Sequence, residues 1–302
     1  MADNNIFDVI IVGGSYAGLS AAMTLGRSLR NVLIIDSGEP CNKQTPNSHN
    51  LLGQDGAKPF DIFKQGKKQV LKYSTVKFIS GLAKKGYQRE SQFIIELEKG
   101  KMFTSKKILF ATGLNYTLPE VNGLSECWGI SVVHCPYCHG YEIKKKKTGL
   151  LGNGDSGFDF SKFISNWTKD LTLFTNGKST LTNEQTEKLN EHAIKIVEKE
   201  ISHFDHEKGW LKRIVFKDGT SEKMKAVYAR GEVKQHCKIP TELGCQLTQH
   251  GYINIDDSCQ TTVKGIYAAG DNSTMFKAVS SAIAAGSKAG AMINKELIDE
   301  SF

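Results

Sequence analysis

The sequence predicts an α/β chain of two Rossmann-like dinucleotide-binding domains, the second inserted into the first. Three observations carry this expectation. A strand, glycine loop, helix and strand stand near the start; the same unit returns from Thr148; and an apolar strand ending in Gly270-Asp271 follows with no glycine-loop unit of its own. A chain of 302 residues with 39% apolar content can bury a sizeable core, and its length fits two domains better than one.

The first unit opens with the β-branched run Val9 to Val12. It passes through Gly13-Gly14-Ser15-Tyr16-Ala17-Gly18 into Leu19-Ser20-Ala21-Ala22-Met23, which suits a helix. A second run, Val32-Leu33-Ile34-Ile35, ends at Asp36, 23 positions after Gly13 and close to the roughly 20 expected for a dinucleotide fold. Backbone N–H groups at the helix start can hold a pyrophosphate, and Asp36 can accept hydrogen bonds from ribose hydroxyls. Ser15 stands where a glycine is usual, and it is small enough to keep the backbone approachable.

In the second unit Thr148-Gly149-Leu150-Leu151 leads into Gly152-Asn153-Gly154-Asp155-Ser156-Gly157, a complete G-x-G-x-x-G. A helix-like stretch and the strand Leu171 to Phe174 follow. The two leading glycines are 139 residues apart, the spacing of whole domains and not of a short solenoid repeat. After the second strand, where an acid selects NADH or arginines select NADPH, the chain reads Thr175-Asn176-Gly177-Lys178. Lys178 alone is a poor substitute for an arginine clamp on a 2′-phosphate. Two expectations stand together: NADPH or NADH binds weakly or differently at Gly152, Gly154, Asp155, Ser156 and Gly157, or the domain is kept for its shape and another reductant or oxidant is used.

Further on, Gln249 to Ile255 reads as a turn and strand, Gly265 to Asp271 as a strand, and Ala278 to Ala291 as a small-residue helix. The simplest architecture brings these back to complete the first domain. It assigns 1–115 and 249–302 to that domain and 116–248 to the insert.

Chemistry concentrates in Cys135-Pro136-Tyr137-Cys138-His139. Two thiols within disulfide reach at a helix N-terminus suit thiol–disulfide exchange, and His139 can take or give a proton near neutral pH. Competing readings of the segment are c-type haem attachment, a zinc site, and a dithiol that merely packs. Haem attachment needs export, which the N-terminus does not support, and zinc needs a second ligand pair, whereas Cys41, Cys127, Cys237, Cys245 and Cys259 are single. No metal site is expected.

The 39 Lys and Arg against 32 Asp and Glu give a net charge of +7, which favours acidic partners in general. The run Lys144 to Lys147 has no interleaved aromatics, so it reads as a solvated loop and no nucleic-acid partner is expected. No stretch of about 18 apolar residues occurs and the start lacks a signal-like region, so the expectation is a cytoplasmic protein without membrane partners.

Order and spacing of these motifs resemble the low-molecular-weight thioredoxin reductase family over nearly the whole chain. The resemblance implies FAD in the first domain, held by Gly13, Gly14, Ser15, Ala17, Gly18 and Asp36, by Asn50, by Ala111-Thr112-Gly113 at the exit from the domain, and by Gly270, Asp271 and Ala278. It implies that Cys135 and Cys138 cycle between dithiol and disulfide against the flavin, with Cys138 facing the flavin and the other sulfur attacking substrate. Further implications are a homodimer, hinges near Leu114 to Leu118 and Leu247 to His250, and thioredoxin or a similar small disulfide protein, or a small-molecule disulfide or dithiol, as partner. Two departures stand out. His139 replaces the acid that usually follows the second cysteine, and the paired basic residues after the second strand are absent, which admits members that bypass NADPH: dithiol oxidases that use oxygen and ferredoxin-linked reductases. A flavoprotein that senses redox state without turnover is the alternative from another class.

Overall fold

The computed structural model describes residues 6–302. The first glycine-loop unit consists of β1 (Ile6–Val12), α1 (Tyr16–Arg27) and β2 (Val32–Asp36), followed by α2 (Pro59–Val70) and β3 (Val76–Ser80). An antiparallel pair, β4 (Ala83–Arg89) and β5 (Gln92–Leu97), then leads into β6 (Met102–Phe110) and β7 (Leu114–Thr117). The sheet runs β3-β2-β1-β6-β5-β4 and is parallel through β3, β2, β1 and β6.

The central strand β1 shows why this stretch reads as an unbroken apolar run. Val9 and Ile11 point to one face and Ile10 and Val12 to the other, and both faces are buried. The first face packs against Ala17, Ala21 and Leu25 of α1. The second packs against Phe93, Phe110 and Ile239.

The middle of the chain forms α3 (Leu124–Cys127), β8 (Val132–Val133), α4 (Pro136–Ile143), β9 (Thr148–Leu151), α5 (Gly154–Ile164), β10 (Leu171–Phe174), α6 (Asn183–Glu191) and β11 (Lys195–Val197). An antiparallel meander of β12 (Ile201–Glu207), β13 (Trp210–Phe216) and β14 (Ser221–Lys223) precedes β15 (Ala226–Ala229). The parallel sheet here is ordered β11-β10-β9-β15-β8. Phe160 and Ile164 of α5 and Leu189 of α6 cover one face, while Phe204, Ile214 and Phe216 of the meander cover the other. Each leading glycine donates its N–H to the last carbonyl region of the next strand, Gly13 to Ile35 (2.8 Å) and Gly152 to Phe174 (3.1 Å). The two units are the same structural sentence written twice.

The chain ends through β16 (Glu232–Gln235), which pairs with β7, then α7 (Ile239–Glu242), β17 (Ile266–Ala268), a short helical turn at Asp271–Ser273 and α8 (Val279–Asp299). β17 joins the first sheet beside β6, and α8 packs on α1. The expected strand at 249–255 is reduced to isolated bridges, Leu247 with Ile253 and Ile255 with Thr261.

Compactness divides the chain into one unit of residues 1–43, 60–115 and 233–302 and another of 44–59 and 116–232. Two boundaries differ from expectation. The second crossing falls between Glu232 and Val233, not at 247–250, because residues after Val233 bury Ile239 and Cys245 in the core of the first unit. The segment 44–59 groups with the second unit, carrying Asn50 with it.

Candidate active site

In the first unit the structure gathers Gly13, Gly14, Ser15, Ala17, Gly18, Asp36, Ala111, Thr112, Gly113, Gly270, Asp271 and Ala278 around the carboxyl ends of β1, β2, β6 and β17, the end of a parallel sheet where nucleotides bind. Gly13 has φ of 103°, a conformation that needs glycine, and a Cβ there would run into the backbone of Ala111 and Thr112. Gly14 lies against the Cβ of Asp36, and Gly270 against Ala17. Ser15 caps α1 without a side-chain hydrogen bond, and the first turn of α1 holds no acid. Its N–H groups and positive dipole end are therefore open to an anion, as a pyrophosphate requires.

Sequence reasoning stops at Asp271, and the structure adds Asn272. Fully buried, its Nδ2 donates to Phe110 O (2.8 Å) and to Thr112 Oγ1 (3.3 Å), while its Oδ1 is buried with no hydrogen-bond partner. Burial also holds the Asp271 carboxyl above its usual range, opposed by Lys277. An open helix N-terminus, bare glycine backbone, the Asp36 carboxylate at the end of β2 and an orphaned acceptor together fit FAD.

The N-terminus of α5 in the second unit is built differently. Asn153 is its cap, and its Oδ1 accepts from Gly154 N (2.8 Å), Thr180 N (2.8 Å) and Thr180 Oγ1 (3.1 Å), while its Nδ2 donates to Lys178 O (2.9 Å). Asp155 occupies the first turn and accepts from Gln185 Nε2 (2.7 Å). Gly152, Ser156 and Gly157 complete the loop, with Gly157 N bonded to Asn153 O (3.0 Å). The chain's own side chains tie this loop to residues 178–185, and the first turn of the helix carries a carboxylate, which the positive end of the helix dipole favours. The arginines that read a 2′-phosphate are absent from 175–178.

The same unit carries the cysteines. Cys135 and Cys138 form a disulfide with Cα atoms 5.3 Å apart, at the N-terminus of α4. Pro136 takes a first-turn position where no N–H is needed, and the Cys135 sulfur accepts from Cys138 N at 3.2 Å. Cys41, Cys127, Cys237, Cys245 and Cys259 are unpaired, and among the described residues no group of three potential ligands is placed to hold a metal. No helix among the described residues is long and apolar enough to cross a membrane.

His139 follows Cys138 on the first turn of α4. Burial, and then the neighbouring His49, push its pKa down to about 4, so the ring is neutral at physiological pH and able to act as a base. Glu142 lies one turn further along α4, with Oε1 3.6 Å from His49 Nε2, while His49 Nδ1 lies 3.6 Å from Asp55 Oδ1. Asn50 has φ of 60° and donates its N–H to the same Asp55 oxygen at 2.7 Å. His49 and Glu142 carry no sequence signal, because 93 residues separate them.

The depressed His139 pKa has a sign that can be measured. The unfolded chain binds a proton here below about 6.5 and the folded one only below about 4, so this contribution to stability is present above 6.5 and lost as pH falls toward 4. Urea midpoints of wild type and His139→Gln should converge across that window, with wild type losing at most about 3 kcal/mol more than the variant.

Residues 7–286 match the family described as pyridine nucleotide-disulphide oxidoreductase. The chain is 29% identical over 310 residues to thioredoxin reductase tcpT of Claviceps purpurea (strain 20.1), covering 99% of this chain and 96% of that one. It is 27% identical over 292 residues to a thioredoxin reductase of Helicobacter pylori (strain J99), covering 88% and 90%. Among solved structures, an oxidoreductase from Agrobacterium tumefaciens superposes with a TM-score of 0.90 at 33% identity, covering 97% of this chain and 99% of that one.

Proposed function

The chain belongs to the pyridine nucleotide-disulphide oxidoreductase family, as a thioredoxin-reductase-like, FAD-dependent thiol–disulfide oxidoreductase, and on that premise we propose that it exchanges electrons with its substrate through Cys135 and Cys138 and draws them from a dithiol, not from a nicotinamide. One contrast carries the second half of this reading. The N-terminus of α1 is open and free of acid, whereas that of α5 is capped by Asn153, tied to Thr180 and Gln185, and carries Asp155. One glycine loop is prepared for phosphates and the other has been closed with the protein's own side chains.

FAD, when bound, supplies a two-electron acceptor and donor. Its holders are the α1 loop for the pyrophosphate, Asp36 for ribose, and the strand ends at 111–113 and 270–272. The protein's own part is thiol chemistry. Cys135, its sulfur facing the Cys138 N–H at the start of a helix, is stabilised as a thiolate and is the sulfur that meets substrate. Cys138 is the sulfur that passes electrons to and from the flavin. His139, neutral and adjacent, moves the proton.

Anaerobic titration tests the direction. A small dithiol should bleach the flavin within seconds, while NADPH and NADH leave it oxidised. Rapid bleaching by either nicotinamide would overturn the dithiol-driven reading and favour a disulfide reductase acting on thioredoxin or a similar small protein, the reading that the intact Gly152-x-Gly154-x-x-Gly157 supports. The substrate is then a small-molecule dithiol with oxygen as terminal acceptor in the first case, and a protein disulfide in the second. Five unpaired cysteines suit a reducing compartment, so the protein works in the cytoplasm, and the family resemblance makes it a homodimer.

A further inference from the structure

Exchange at Cys135 and Cys138 leaves one proton to be disposed of. A substrate thiolate bonds to one enzyme sulfur and the Cys135–Cys138 bond breaks, the displaced sulfur leaving as thiolate. The second substrate sulfur then attacks the mixed disulfide, substrate departs as a disulfide, and the enzyme pair holds two electrons. Of the two substrate protons, one stays on the enzyme dithiol and the other must reach solvent. The reverse direction requires the same proton to come in.

We propose that His49, set between Glu142 and Asp55, is the outer station of a proton path that begins at His139, so that His49 and Glu142 are relay and positioning residues for the cysteine pair. The inference rests on the reading of that pair as the exchange centre.

The geometry supplies the sequence of stations. His139 is next to Cys138 and is the first base a released proton meets. Burial disfavours its charged form, so a proton taken there has to be handed on quickly. Residues three apart share a helix face, which puts Glu142 beside His139 on α4. From Glu142 the next group is His49, whose two ring nitrogens each face a carboxylate oxygen at 3.6 Å, Glu142 on one side and Asp55 on the other. A proton entering one nitrogen can leave from the other. His49 is 20% exposed and Asp55 67% exposed, so the path runs from covered to open.

The segment that presents His49 is itself fixed. Ser48 N donates to Ala57 O and Gly56 N to Ser48 O, both at 2.8 Å, closing the loop, and Asn50 N orients Asp55. Glu142 also faces Tyr228 of β15, buried, its hydroxyl without a hydrogen-bond partner, and held protonated by burial and by Glu142. It offers no competing base.

The test uses full-length, FAD-loaded protein with dithiothreitol as the reductant. Samples are quenched in acid and alkylated, and free thiols are counted by mass, so the readout is reduction of the disulfide and not of the flavin. His49→Ala should slow reduction about tenfold near neutral pH, and free imidazole should restore most of the rate with a dependence on pH. Glu142→Gln should slow it several-fold without rescue by imidazole. His49→Gln, which keeps the side-chain size, should match His49→Ala but gain nothing from imidazole. Wild-type rates in both His49 variants, or slowing of His49→Ala that imidazole does not relieve, would overturn the relay while leaving the exchange centre standing. A wild-type pair inert to dithiothreitol would overturn both.

Discussion

Replacing Cys138 with serine should abolish turnover, by at least about a thousandfold, while FAD stays bound. Serine preserves size and polarity but cannot form or break a disulfide, so cofactor content is an independent control. The variant separates the two sulfurs as well. With Cys138 gone, the Cys135 thiolate can still attack a substrate offered in its disulfide form, one substrate sulfur leaving as thiolate, and with no resolving thiol the mixed disulfide should accumulate and appear as added mass on the peptide containing residue 135. Cys135→Ser should also be inactive but should capture little. An adduct on Cys135→Ser and none on Cys138→Ser would reverse the assignment, and the hydrogen bond from Cys138 N to the Cys135 sulfur would then have been misread as marking the nucleophile.

A comparable loss is expected from a residue with no chemistry. Gly286 lies in α8, and a Cβ built there falls 2.9 Å from Ala17 Cα and 2.8 Å from its carbonyl carbon. The obstacle is backbone, not a flexible side chain, so α8 would have to lift away from α1. Gly286→Val should therefore cost more than about 3 kcal/mol and lower the melting temperature of the holoprotein by about 6–12 °C. On the proposed role of the α1 N–H groups in holding the pyrophosphate, the purified variant should also carry little FAD. Full FAD content with a wild-type melting temperature would show that the helices tolerate separation and that this contact does not set the cofactor site.

The difference between these two residues also shows what the sequence discloses and what it conceals. The strand, glycine loop and helix units were legible because their signals are local. The continuous apolar run Val9 to Val12, a loop of small residues and an acid at the end of the next strand all fall within 30 residues. Cys135 and Cys138 announce themselves for the same reason. The role of Gly286 depends on Ala17, 269 positions earlier in sequence, and a glycine inside a small-residue helix looks like any other. The antiparallel pair β4 and β5 and the meander β12 to β14 are ordinary half-buried strands with no motif to flag them.

At the site, the concealed residues are those brought in from other segments. His49 and Asp55 belong to a loop whose own sequence points to nothing beyond Asn50, and they acquire meaning only beside Glu142. The glycine loop of α5 gave the opposite problem. Its pattern is complete, yet Thr180 and Gln185, 26 and 31 positions past Gly154 and unremarkable in type, bond to the Asn153 and Asp155 side chains of that loop. A motif records backbone shape; whether that shape is open depends on side chains elsewhere.

The pairing of α1 with α8 has a last consequence, for the order in which the molecule can form during synthesis. The core beneath α1 is shared by Val9, Ile11, Leu25 and Ile34 from the start of the chain and by Tyr267, Ala289 and Ile293 from near its end. The Ser20 hydroxyl finds its acceptor, the Ile283 carbonyl, only across that whole span. The sheet between β8 and β15 can complete itself as soon as residue 229 has left the ribosome, whereas the core of the first-made strands stays incomplete until Ala289 and Ile293 follow, 60 and 64 residues later. The newborn chain thus assembles from its middle outward, and the flavin has nowhere to sit until α8 arrives.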